Sequence, residues 1–310
     1  MPPGIARTAA ILLAIVIGAF LPQAHSLAWL IRWLVMAMLF LVFLQTRLTQ
    51  TALHRTHGWL LLANIAMGFA AWGLGWLIGG RDVALAAFFA GITPTATAAP
   101  VIVSFLRGRV DYVIAGFLLT NLVITALLPL LLPLVLGHAT PEVFGQVLGS
   151  VTLVMFAPIA AAWTIRRLYP KAAGWPPRLR NFSFGMWVTA ILLITGNASD
   201  FLRRQPDMPH LVITKIVIIT IVICAANFAL GRLIGGREFR REASQTLGQK
   251  NTSYTIYLAL TYASPLVALG PTFYVLWHNL WNSWQLHRVP HDVADPKSVE
   301  GGVPTSRRAV

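Results

Sequence analysis

Charged side chains are scarce in this sequence of 310 residues. Asp, Glu, Lys and Arg together make up 11% of it, whereas a soluble domain carries about 25%. Hydrophobic residues make up 56%, and the mean hydropathy is +0.68. A water-soluble surface cannot be built from this composition, so the sequence predicts a protein that lies in a membrane.

Cysteine is nearly absent, because Cys224 is the only one and lies within an apolar run. A single cysteine excludes an intramolecular disulfide and a thiolate metal centre. The ten acidic residues lie at the ends of apolar runs, in loops or in the tail. An intramembrane enzyme would need a paired base and nucleophile, or metal ligands, inside the runs. We therefore expect no enzymatic activity, and no bound cofactor or metal, sodium included.

Basic residues outnumber acidic ones, and the net charge is +14. A basic surface can indicate a nucleic-acid partner. Here the bases cluster between apolar runs, and no nucleic-acid-binding motif accompanies them, which is the pattern of positive cytoplasmic loops. The sequence predicts a lipid bilayer and no nucleic acid as partner. The distribution of Lys and Arg over alternate loops places both termini in the cytoplasm.

The apolar runs predict ten transmembrane helices, each near the roughly 20 residues that a helix needs to cross the hydrocarbon core. The predicted spans are 8–22, 27–46, 58–79, 83–106, 112–136, 143–168, 182–199, 210–235, 242–263 and 265–287. The tail, 289–310, is polar and rich in Pro, Gly and charge, so we expect it to be disordered and cytoplasmic.

A short Gly-rich segment occurs twice, at 74–82 and at 230–238, an offset of 156 residues. Most of its positions are identical, and Asp82 of the first copy is replaced by Glu238 in the second. The first copy closes span three and the second closes span eight, so an odd number of crossings separates them and the second copy is inverted. Inverted repeats are typical of secondary transporters, whose substrate site lies where corresponding helices are interrupted.

Each half contains a polar island inside an apolar span, the first in span four and the second in span nine. Pro94 and Pro100 in the first island remove helix donors and clash with the preceding turn, so we expect them to break the helix. A kinked helix whose threonines bond to its own carbonyls is the alternative. Gly248 is the corresponding break in the second island. At the offset of the repeat, Thr93 corresponds to Gln249.

Of the residues in the two islands, Lys250 most directly indicates a binding site. An ammonium at mid-membrane costs at least ~2.5–3.5 kcal/mol, so it should face a cavity or a partner. No acidic residue lies in the middle of an apolar run to pair with it, and an anionic substrate is the natural counter-charge. The alternative is a structural lysine that binds carbonyls freed by the broken helix.

The candidate substrate-binding residues combine the islands with two polar residues of span ten, for which interhelical hydrogen bonding is the alternative role. They are Thr93, Thr95, Thr97, Lys250, Asn251, Thr252, His278 and Asn279.

These segments resemble the bile acid:sodium symporter family, in its bacterial branch. The resemblance is carried by span four with 106–108, by 248–251 and by 274–279, and it extends over spans three to ten. It implies an all-α fold of ten helices in two inverted five-helix repeats, with broken crossing helices four and nine. It also implies the inner membrane of a bacterium. The implied division is panel helices at 1–57 and 138–200 and core helices at 58–137 and 201–288.

The sequence departs from this family where the resemblance implies sodium ligands. Ala99, Pro100, Val113, Phe117 and Thr246 stand at those positions, whereas sodium needs oxygen ligands and preferably a carboxylate. Lys250 replaces the glutamine of the family's motif, and its ammonium stands where the ion would be expected.

The sequence thus predicts a secondary transporter of a small organic anion that works by alternating access, either linked to protons or as a uniporter. Two alternatives remain open at this point. One is a sodium-coupled symporter with an atypical site built from backbone carbonyls and from Thr95, Thr97 and Asn251. The other is a membrane receptor that binds its ligand without translocating it.

Overall fold

A computed structural model of the protein describes residues 3–45, 53–96, 98–137, 140–204 and 210–287. These residues are almost entirely helical and contain no β-strand. The helices are α1 Pro3–Phe20, α2 Trp29–Gln45, α3 Arg55–Ile92, α4 Ala98–Phe105, α5 Val110–Leu136, α6 Pro141–Leu168, α7 Trp175–Arg178, α8 Arg180–Arg203, α9 His210–Ile234, α10 Arg240–Gly248, α11 Thr252–Tyr262 and α12 Pro265–His287. Two short 3₁₀ helices, Pro22–Leu27 and Pro170–Gly174, precede α2 and α7.

Within the described residues, four helices are long and apolar enough to cross a membrane, and their candidate spans are Arg55–Ile92, Val110–Leu136, Asn181–Arg203 and Leu211–Ile234. Helices α10 and α11 have nine and eleven residues, so at about 1.5 Å per residue neither crosses alone. The described part of the chain is therefore that of a membrane-embedded all-α protein.

Helix α3 holds predicted span three and the first half of predicted span four, joined by a kink. At the kink Gly80 has φ +73° and ψ −160°, a conformation that is open essentially to glycine alone. In the second copy of the repeated segment Gly236 has φ +60°, just after the end of α9. The second glycine of each Gly-Gly pair thus turns the chain from one helix into the next.

Both predicted islands interrupt their helices. Ile92 ends α3 and Ala98 begins α4, while Gly248 ends α10 and Thr252 begins α11. Pro94 lies in the first interruption. Pro100 does not, because it is the third residue of α4, where the first turn tolerates a missing N–H. Pro94 is therefore the proline inside the break, and Pro100 lies in the first turn of the helix that follows it.

The helices pack in two groups. Helix α1 packs against α8, and α2 packs against α6 and α8. Helix α3 packs against α9 and α12, α10 against α9, α11 against α12, and α4 against α5. Contacts of α6 with α5 and of α8 with α12 join the groups. Thr97 and the tail, 289–310, lie outside the described residues.

Candidate functional site

The two helix interruptions cross, and their backbones pair. Thr95 and Lys250 form an isolated antiparallel bridge. The Ala96 N–H donates to the Gln249 carbonyl over 2.8 Å, and the Asn251 N–H donates to the Pro94 carbonyl over the same distance. Each bond satisfies backbone groups that the breaks release, which would be costly to leave unpaired away from water.

These two bonds are equivalent under an exchange of the two segments. Ala96 and Asn251 are 155 positions apart, and so are Pro94 and Gln249, the two acceptors. The correspondence at the crossing therefore differs by one residue from the predicted pairing of Thr93 with Gln249. The shift of one residue arises within the breaks, because Ile92 and Gly248, the last residues of α3 and α10, are still 156 positions apart.

Lys250 lies at the centre of the crossing, with 1% of its surface exposed. Its ammonium donates to Asn64 Oδ1 and, over 3.2 Å, to the Gly91 carbonyl. Asn64 Nδ2 in turn donates to the Ile92 carbonyl over 2.9 Å. Gly91 and Ile92 are the last residues of α3, whose carbonyls have no partner within the helix. Lys250 and Asn64 together cap this helix end, and a cation there also matches the negative end of the helix dipole.

No carboxylate forms an ion pair with Lys250 among the residues that the structure describes. The ion pairs there link Arg109 with Glu238, and Asp200 with Arg204 and His25. Neutral oxygens therefore accept the hydrogen bonds of the ammonium, as in the structural alternative raised by the sequence.

Thr95 is held from α5 and α10. Its hydroxyl donates to the Thr246 carbonyl over 2.6 Å and accepts from the Thr120 hydroxyl at 2.9 Å. Asn121 Nδ2 donates to the Thr95 carbonyl over 2.8 Å. Thr120 and Asn121 are adjacent on α5, so one turn of that helix fixes the extended segment of the first break.

Thr93 and Thr252 are buried on the other side of the crossing. The Thr93 hydroxyl donates to the Phe89 carbonyl over 2.5 Å and lies 2.7 Å from the Thr255 hydroxyl. The Thr252 carbonyl accepts a bond from that same Thr255 hydroxyl. Asn251, half-buried, precedes α11 and makes no side-chain cap. These candidate residues therefore lie together, with Thr255 as a shared partner.

His278 and Asn279 lie on α12, and neither bonds to Lys250. Asn279 Nδ2 donates to the Val275 carbonyl of its own helix, so this bond is not the interhelical one of the alternative. His278 is buried, Nδ1 has no hydrogen-bond partner, and the ring packs edge-on against Tyr274. Tyr274 connects α12 to the second break, because its hydroxyl donates to the Gly248 carbonyl over 2.9 Å.

Two glycines bring neighbouring helices close to the half-helices. A Cβ on Gly116 of α5 would clash with the Thr246 side chain on α10, and a Cβ on Gly270 of α12 would clash with the Ala86 backbone on α3. Gly248 itself lies against the Phe228 ring, where a Cβ would clash. Nothing in the sequence motifs pointed to Gly116 or Gly270, since a glycine within an apolar helix is an ordinary feature of membrane proteins.

The arrangement can hold two broken helices at one point and place buried polar groups there. Comparison with protein-family models and with curated proteins finds no match for the chain. The resemblance to the bile acid:sodium symporters therefore stays a prediction that rests on the residues quoted above.

Proposed function

We propose that the protein is a secondary transporter that moves a small organic anion across the membrane by alternating access, without coupling to sodium. The observation that carries this proposal is the crossing of two interrupted helices, paired through Thr95 and Lys250. Secondary transporters place substrate sites at such discontinuous helices, where the two halves of an inverted repeat meet.

Several pairs of contacts support an inverted repeat of two five-helix halves. Gly80 and Gly236 both have positive φ, and the exchange of backbone bonds at the crossing is two-fold. Helices α5 and α12 each bring a glycine against the half-helix that precedes the opposite break. Each of these helices also sends a hydroxyl to the break in its own half, from Thr120 to Thr95 and from Tyr274 to the Gly248 carbonyl.

The packing groups support two bodies that move against each other. Helices α1, α2, α6 and α8 correspond to the predicted panel, and α3 to α5 with α9 to α12 correspond to the predicted core. Alternating access in repeat-built transporters is largely a rigid-body movement of one such group against the other. In this proposal the crossing stays fixed within the core.

Positive charge inside the helices supports an anionic substrate. Arg32 in α2 and Lys250 at the crossing form no ion pair with a carboxylate in the described part of the chain. The capping role of Lys250 supports transport without sodium, because an ammonium already binds the oxygens at the end of α3. A sodium ion at the positions that the resemblance implies would meet the like charge of Lys250 and buried apolar side chains such as Ala99 and Val113.

A ligand screen on purified protein tests the anion class. Cys224 is the only cysteine and is buried, so a thiol-reactive fluorescent dye reports unfolding through it. A ligand that binds the folded state alone stabilises it by about 2.7 kcal/mol at 100 times its dissociation constant. We expect at least one acid from a panel of bile acids, keto acids and hydroxy acids to raise the melting temperature equally in sodium and in potassium.

The matched control for each acid is its neutral amide, which should give no shift. If no acid stabilises the protein, or if the amides act as well as the acids, the anion class is wrong. Stabilisation in sodium alone would contradict sodium independence.

A further inference from the structure

A cavity of about 370 Å³ lies between α2, α8 and α11. This volume lies within the range of roughly 300–1,000 Å³ that is typical of small-molecule sites. Helix α2 belongs with α8 in one packing group, whereas α11 follows the second break in the other. The cavity thus lies between the two groups of helices and away from Lys250.

Arg32 brings a positive charge to this cavity. The residue lines the cavity and is half-buried, and Nε of its guanidinium is a buried donor without a hydrogen-bond partner. A guanidinium keeps its charge at any physiological pH and presents several N–H groups in one plane. A buried charged donor without an acceptor is unfavourable. The geometry of the guanidinium matches a carboxylate, which can accept two parallel bonds.

The protein's own carboxylates do not supply this acceptor. Helices α2 and α11 contain no acidic residue, and Asp200 is the only one in α8. Asp200 is already paired with Arg204, at 2.8 and 3.2 Å, and lies 3.7 Å from His25. Asn197, one turn earlier on α8, lines the cavity instead and adds a neutral amide.

The remaining lining residues favour an anion that carries an apolar group. Trp29, Trp33 and Tyr257 line the cavity together with aliphatic side chains. The Thr261 hydroxyl, also in the wall, already donates to the Tyr257 carbonyl over 2.7 Å. Asn197 forms no hydrogen bond within the described ranges, so its amide is the neutral donor left beside Arg32. Aromatic and aliphatic walls with a few polar groups are usual for sites that orient a small organic ligand.

We propose that this cavity binds an organic carboxylate with an aromatic or branched apolar body, held by Arg32 and Asn197. This proposal rests on the proposed function, in which the cavity would receive the substrate between the two groups of helices. Arg32 lies in the first turn of α2, after the loop that the charge distribution places outside the cytoplasm, so the anion enters from that side.

A phospholipid headgroup is the other source of an anion at this depth. Trp29 and Trp33 are exposed, as in an interfacial belt, and arginines near helix ends reach towards phosphates. A lipid headgroup would place its charge beside Arg32 but would not fill the apolar-walled cavity. The test therefore begins in alkyl maltoside without phospholipid.

The probe is 4-bromobenzoate, whose bromine quenches the fluorescence of nearby tryptophan. Its neutral isostere 4-bromobenzamide is the ligand control. The variants are R32Q, R32K and N197L, with W29F/W33F to locate the quenching. R232Q is the matched control variant, because it removes one arginine charge from an exposed position on α9 that does not line the cavity. Unfolding monitored through Cys224 verifies that each variant is folded.

We expect saturable quenching by the benzoate that is lost in W29F/W33F and unchanged in R232Q. R32Q should weaken binding about ten- to a hundredfold, the range of a charge-assisted contact. R32K should weaken binding less, because the positive charge stays while the planar guanidinium is lost. N197L should also weaken binding while leaving the preference for benzoate over benzamide. If R32Q does not fold, R32K and N197L carry the test.

The proposal is wrong if the benzamide binds as tightly as the benzoate, if R32Q binds the benzoate unchanged, or if quenching survives in W29F/W33F. Added phosphatidylglycerol that displaces the benzoate at substoichiometric amounts would assign the site to a lipid headgroup and would also contradict it. Binding is measured here without transport, so a protein that takes up other acids but ignores this probe would refute the site and leave the proposed function standing.

Discussion

Replacing Lys250 and Asn64 together separates a structural role of the ammonium from a role in binding substrate. The pair is suited to a double-mutant cycle, because Asn64 Oδ1 accepts from the ammonium while Asn64 Nδ2 donates to the Ile92 carbonyl. The variants are K250M, N64L and K250M/N64L, in which each new side chain has a similar size and no polar atom that could replace the bond.

Replacing Lys250 alone has two opposing effects on the free energy of unfolding. K250M leaves Asn64 Oδ1 and the Gly91 carbonyl without this donor, at about 1–3 kcal/mol each. It also removes a buried ammonium whose insertion costs at least ~2.5–3.5 kcal/mol. The sign of its effect is therefore not a useful test. N64L should only destabilise, because it removes no buried charge. It leaves the ammonium without the Asn64 Oδ1 acceptor and the Ile92 carbonyl without the Asn64 Nδ2 donor.

The coupling energy is the informative quantity. A hydrogen bond to a charged group contributes about 1.5–3 kcal/mol, so the double variant should be more stable than the sum of the single effects by about that amount. At roughly 2–4 °C per kcal/mol, the discrepancy in melting temperature is several degrees. The measurement follows the reaction of Cys224 with a thiol-reactive dye on heating in detergent.

Thr195 supplies the control, since its hydroxyl donates to the Ile191 carbonyl within α8 and shares no hydrogen-bond partner with Lys250. T195V should be additive with K250M. Additivity of K250M with N64L to within about 0.5 kcal/mol would refute the capping role. A K250M protein of unchanged stability that no longer binds carboxylates would instead support direct contact with the substrate.

Three further substitutions test how the crossing is supported. G80A should destabilise the protein by about 1–3 kcal/mol because of its backbone conformation, whereas G73A, at an open position within a helix, should be neutral or slightly stabilising. G270A should lower the free energy of unfolding by about 1–3 kcal/mol through overpacking against α3. An unchanged thermal unfolding curve would mean that α12 does not approach α3 so closely. Y274F removes the donor to the Gly248 carbonyl, and we expect a loss of about 1–3 kcal/mol in denaturant unfolding; an unchanged midpoint would show that this bond contributes nothing.

The helix breaks could be predicted from sequence because their causes are local. Pro94 cannot donate to a helix, and the repeated segment pointed to the same place in the second half. The position of Pro100 just after the break could not be read in this way, because a proline is tolerated at the start of a helix and the sequence does not show where α4 begins. The two-fold exchange at the crossing likewise depends on the exact lengths of the two breaks.

The partner of Lys250 was beyond sequence reasoning for a different physical reason. Asn64 lies 186 positions away, and the contact depends on how α3 packs against the crossing. The sequence showed that a buried ammonium needs a partner, and that no carboxylate was available, but not that carbonyls at the end of α3 would serve. The cavity beside Arg32 was also beyond sequence reasoning, since it is formed by three helices distant in sequence.

Uptake into proteoliposomes is the most direct test of transport of an organic anion without sodium. Purified protein is reconstituted, and accumulation of an acid that stabilises it is measured in sodium, potassium or choline at fixed pH, with protein-free liposomes as the control. The account predicts saturable uptake at equal rates in the three cations, and exchange of internal for external acid. Binding without any uptake or exchange, or uptake that requires sodium, would contradict it.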